Sequence, residues 1–176
     1  MIAKSSPARL LSASLIIVLI AASALTTLSA NERGKSAAAF EKLISLVGEW
    51  EGTNSAGSVR ATYTLVSGGT ALMERLQSGN EPEMITLYTL DGDHLNIVHY
   101  CSEGNQPQMR TATVTEPAGP LMFKVTQVSG LKSPGDGHMT ALVVTMADRD
   151  HFTQEWTYLN NKGKSTTDLF KFTRKS

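Results

Sequence analysis

Residues 84–101 read MITLYTLDGDHLNIVHYC, and the reading of this stretch decides the fold. Met84 to Leu90 and Leu95 to Cys101 are short runs rich in aliphatic and aromatic residues, with Asp91-Gly92 between them. Asp-Gly in that position signals a tight hairpin, because the favoured two-residue turn needs positive φ at both central residues. The stretch therefore predicts two antiparallel strands. In the second, Leu95, Ile97, His99 and Cys101 share one face, and Asn96, Val98 and Tyr100 share the other. The face bearing two aliphatic residues is the one expected inside. His99 and Cys101 would then be interior neighbours about 6.5–7 Å apart along the strand.

The same rhythm runs outward in both directions. Glu49 to Thr53, Val59 to Leu65 and Ala71 to Gln77 precede the hairpin. Met109 to Thr115, Leu121 to Val128, His138 to Met146, His151 to Leu159 and Thr166 to Arg174 follow it, which makes ten predicted strands. Ser67-Gly68-Gly69, Gly79-Asn80-Glu81-Pro82, Gly104-Asn105-Gln106-Pro107 and Pro117-Ala118-Gly119-Pro120 supply turns. Short strands in succession with almost no helix between them imply up-and-down antiparallel connectivity. Closing the sheet removes both free edges, so the expectation is a ten-stranded antiparallel β-barrel, with a two-sheet sandwich as the alternative. A barrel of about eight to ten strands is just wide enough for one small ligand.

One helix is expected, from Ser36 to Val47. Phe40, Leu43, Ile44 and Val47 recur at the spacing of a single apolar stripe, Ser36 can cap the first turn, and Gly48 can stop it. Residues 1–30 read differently. Lys4 and Arg9 make a positive start, Leu15 to Ile20 is a short apolar core, and Ala22-Ser23-Ala24 or Ala30 offers a small-residue cleavage site. That is the pattern of an export signal, with an uncleaved membrane anchor as the competing reading. The expected location is periplasmic or extracellular.

The folded domain is expected over residues 36–176. Loss of the first thirty residues removes two basic and no acidic side chains, taking the formal charge from zero to −2. No basic run is present, so nucleic acid is not an expected partner. No membrane contact is expected once the signal is removed. Cys101 is the single cysteine, which excludes an internal disulfide, and a monomer stabilised by its own core is expected.

Leu46-Val47-Gly48-Glu49-Trp50-Glu51-Gly52 resembles the opening of lipocalin and calycin barrels: a short helix, then Gly-x-Trp at the start of the first strand. The resemblance implies that Trp50 packs across the closed end beneath an arginine of the last strand. Arg174 shares a face with Phe170 and Phe172 and is the match. Residues of roughly 40 to 175 also look like a family of secreted bacterial lipocalin-like domain proteins. Val66 to Glu74, His99-Tyr100-Cys101 with Gly104 to Pro107, and His151 to Thr157 carry that similarity. It implies the fold and an exported location, and no activity. The related haem-binding nitrobindin-like barrels open with a glycine-rich segment and Tyr-Pro, which this chain lacks after Trp50.

Candidate functional residues cluster around the hairpin. His99 and Cys101 are a possible imidazole–sulfur pair for copper or zinc, with Met109 or His138 as further ligands, but no second Cys or His pair stands at a recognised spacing. A nucleophilic Cys101 would need a base, and same-strand neighbours point in parallel, so no catalytic residue is assigned. The structural alternative has His99 hydrogen-bonded to Gln154 and Cys101 as a small buried hydrophobe. A hollow barrel would line its cavity with Met73, Met84, Leu87, Ile97 and Trp156, and orient a guest through His99 and Gln154. Asn105, Gln106 and Arg110 would then meet the guest's polar end at the mouth. The expectation is a barrel for a small, largely apolar ligand, with no cofactor identified. A ligand-free structural or protein-binding module, and haem or metal held by His99 and Cys101, are the alternatives.

Overall fold

Each strand hydrogen-bonds to the one before and the one after, and the last closes on the first. The computed structural model describes residues 31 and 33–176, so the expected export signal lies outside the described residues. The strands are β1 (Gly48–Asn54), β2 (Gly57–Val66), β3 (Ala71–Ser78), β4 (Met84–Asp91), β5 (His94–Tyr100), β6 (Gln106–Thr111), β7 (Leu121–Ser129), β8 (His138–Met146), β9 (His151–Leu159) and β10 (Ser165–Arg174). All neighbours are antiparallel, and the β1–β10 pair, with Trp50 opposite Arg174, completes a closed ten-stranded barrel.

Helix α1 (residues 33–44) plugs one end. Ala39, Phe40 and Leu43 are its buried apolar residues, Leu46 is buried in the turn that follows, and Val47 is exposed. Ser36 does not cap the helix start as expected. It sits inside the first turns and donates to Arg33 O at 3.0 Å and to Gly92 O in the β4–β5 turn at 2.6 Å, fastening the plug to the barrel. Gly48 takes φ +127°, and a Cβ there would press on the Arg174 guanidinium. That guanidinium lies 4.1 Å from the Trp50 ring centroid and donates to Ser45 O and Val47 O. It covers the indole and satisfies the carbonyls left open where α1 ends.

β6 departs from expectation. It runs from Gln106 to Thr111 rather than from Met109 to Thr115, because Pro107 falls outside the β5 ladder, which ends at Val98–Gln108, and so removes no donor that β5 needs. Residues 112–120 instead form a loop over the closed end, where Lys42 Nζ donates to Ala118 O at 2.7 Å.

Candidate functional site

A layer of buried polar side chains crosses the middle of the barrel. Glu74 on β3 is 0% exposed. One carboxylate oxygen accepts from Tyr63 and Gln154, both at 2.8 Å, and the other from Tyr88 at 2.8 Å. Gln154 is oriented by Trp156, whose indole N–H donates to the amide oxygen at 3.0 Å. Burial raises the Glu74 pKa, and the hydrogen bonds to its oxygens offset that rise only in part. With donors on both oxygens the carboxylate is the form that fits. Burial, then the Glu74 charge, holds Tyr63 and Tyr88 as phenols. The three hydrogen-bond partners of Glu74, namely Tyr63, Tyr88 and Gln154, are all neutral.

The layer sets the chemistry of His99. Thr86 Oγ1 lies 2.9 Å from His99 Nδ1. Whichever partner donates, that bond fixes the ring from its Nδ1 side. Nε2 is buried and has no hydrogen-bond partner. Desolvation lowers the His99 pKa from 6.5 to about 4, so the ring is neutral at physiological pH. A buried polar nitrogen without a partner is costly, and the His99 ring lines a cavity of about 20 Å³ together with Leu76, Met84, Met139, Trp156 and Phe170. The His99 and Trp156 rings lie 4.6 Å apart at the wall of this chamber.

His99, Gln154, Met84, Ile97 and Trp156 are all buried on the inward side. Gln154 does not reach His99 as expected: it belongs to the Glu74 network, and Thr86 takes its place. Met73 and Leu87 do not line the interior. They pair with each other on the outer face, since Leu72, Glu74 and Leu76 own the inward face of β3, and Met84, Thr86 and Tyr88 that of β4. Met109 is buried opposite Ile97, and His138 faces the Asp136 carbonyl, so neither joins the chamber. Met139 does. The β8–β9 register shifts between Met139 and Ala141, which turns Met139 inward against the parity of Leu142 and Val144.

At the mouth, Asn105 is buried beside a polar groove of about 460 Å³ that also includes Glu103, Lys132, Asp136 and Tyr158. Its amide nitrogen donates to Gly137 O at 3.0 Å. Gln106 folds back on Gly104 O at the outer rim. Arg110 is not at the mouth: β6 starts earlier than expected, so Arg110 sits near the closed end on the outer face, 3.3 Å from Asp91. Cys101 is half-buried, and desolvation raises its thiol pKa, which leaves it a poor nucleophile. Among the described residues no three His, Cys, Asp or Glu side chains converge on a metal position. The chamber beside His99 has room at rest for roughly one water-sized atom, far less than a haem macrocycle needs.

No family model matches the chain, and no curated protein matches it. Solved structures do. Rv2717c from M. tuberculosis is similar with a TM-score of 0.56 at 12% identity, over 78% of this chain and 98% of that one. A protein of unknown function of the DUF3598 family from Nostoc punctiforme is similar with a TM-score of 0.52 at 16% identity, over 76% of this chain. The chain spans about half of the Nostoc protein, 48% of its length. At such identities the likeness is one of fold: a closed barrel consistent with a lipocalin-like architecture.

Proposed function

We propose that this chain is an exported, monomeric binding barrel that takes a small, largely apolar guest into the open half of its interior. His99 Nε2 is the atom that holds it. The observation carrying this reading is the buried, unpartnered nitrogen of an imidazole that lines an otherwise apolar chamber. An apolar molecule with one hydroxyl group, able to donate or accept, would complete that nitrogen and cover the walls. Met84 and Met139 are unbranched and flexible, so they can turn aside for a guest larger than the resting space. Export is supported by the charge and apolar pattern of residues 1–30.

Native mass spectrometry of the protein purified from an exporting host tests the reading. The expected result is a non-covalent adduct that disappears in His99→Leu while the thermal transition is retained. A clean spectrum, with no Trp156 fluorescence response to a panel of apolar alcohols and phenols, overturns it. The small resting volume favours one second reading, a filled barrel whose role is structural or protein-binding, and that same clean spectrum would select it.

A further inference from the structure

We propose that the chamber beside His99 is a site for a soft monovalent metal ion, Cu(I) or its analogue Ag(I), coordinated by His99 Nε2 and the thioethers of Met84 and Met139 beneath the Trp156 ring. The inference rests on the reading that His99 Nε2 is the barrel's binding atom, and it assigns the resting chamber, too small for an organic guest, a single-ion occupant. Size is the first argument. A space of about 20 Å³ holds one small atom. Water is a poor occupant, because a buried water normally makes about three hydrogen bonds and this wall offers one polar atom. A metal ion needs no hydrogen bonds and would engage both kinds of soft donor present.

Donor chemistry selects the ion. Imidazole with two thioethers is a soft set that suits Cu(I), whereas Ca²⁺, Mg²⁺ and Mn²⁺ demand oxygen ligands and Zn²⁺ prefers thiolate, imidazole or carboxylate. Thr86 Oγ1, 2.9 Å from Nδ1, fixes the ring from its other nitrogen, as the hydrogen-bond partners of metal-binding histidines do. The indole of Trp156, 4.6 Å from the imidazole, presents a π surface on which a cation is stabilised.

The test titrates the full chain with Ag(I), which undergoes no redox change, and anaerobically with Cu(I), following tryptophan fluorescence against a competing chelator. The expected result is one equivalent bound, quenching of Trp156 and one added metal mass in the native spectrum, with no response to Zn(II). The double variant Met84→Leu with Met139→Leu keeps the chamber's volume and is expected to lose the site while its melting curve is retained. Thr86→Val is expected to weaken binding by roughly 10–100-fold. Stoichiometric binding that persists in the double variant or in His99→Leu overturns the inference, as does a parent protein that takes up neither ion. If the metals fail but an organic adduct is present and is lost in His99→Leu, the binding reading stands and the metal inference alone falls. The absence of metal and adduct together removes both.

Discussion

Under α1 every large side chain has a fixed partner. Trp50 meets Phe152 edge-on at 4.7 Å, Phe152 stacks on Phe172 at 4.6 Å, and the Trp50 indole N–H donates to Leu46 O at 2.7 Å. Toward the mouth, on the far side of the Glu74 layer, the walls are two thioethers, an indole and an imidazole whose outer nitrogen has no partner. Both halves arise from the same alternation of inward and outward residues. They differ in whether the polar atoms carried inward are satisfied. The aromatic half is built for stability. The half beyond Glu74 keeps unpartnered polar atoms, His99 Nε2 and Asn105 Oδ1, and two deformable side chains in reserve, which is what a binding site requires.

The contrast can be broken most severely at the aromatic end. Trp50→Ala is expected to cost about 3–5 kcal/mol, since it opens a cavity and strips Arg174 of its stacking surface; urea unfolding measures it, and an unchanged midpoint would sink the claim that this end anchors the fold. Next comes acid. The folded pKa of His99, about 4, lies below its unfolded value of 6.5, so the unfolded chain takes up the proton first. The stability tied to the neutral ring is complete above pH 6.5 and falls as the pH drops toward 4, by up to about 3 kcal/mol. His99→Leu is expected to flatten that slope in a pH series of melts, and a slope that survives would place the titrating group elsewhere.

In the dividing layer, Glu74→Gln is expected to cost about 2 kcal/mol, because an amide nitrogen replaces an oxygen that accepts from hydroxyl donors. Smallest is Met84→Leu, a near-isosteric change expected to cost less than about 1.5 kcal/mol in chemical denaturation. A larger loss would mean that the open half is packed as tightly as the closed one.

The barrel was legible because Asp91-Gly92 and the other turns punctuate runs of consistent parity, and because Gly48, Trp50 and Arg174 stand where a plugged end requires them. The chamber was only half legible. β3 and β4 carry apolar residues on both faces, so Met73 and Leu87 looked as suitable for the interior as Leu72 and Met84. The signal that could have separated them lies in β3 itself: Arg75 and Gln77 mark the outer face, which sends Glu74 inward with Leu72 and Leu76. Met139 was beyond reach by this route, because the register shift that turns it inward leaves no mark in the alternation. Arg110 was misplaced with its strand, whose start a proline disguised.

The seam between β1 and β10 has a consequence for how the chain becomes a barrel. Nine of the ten junctions join strands adjacent in sequence and can form as a local zipper, whereas the tenth joins the first strand to the last. Until the final residues of β10 arrive, β1 and β9 each present a row of open backbone groups to other molecules. Closure is therefore the slow step of high sequence separation, and it is also the step that brings Arg174 onto Trp50. A chain missing its last ten residues would be a sticky open sheet, not a slightly weaker barrel.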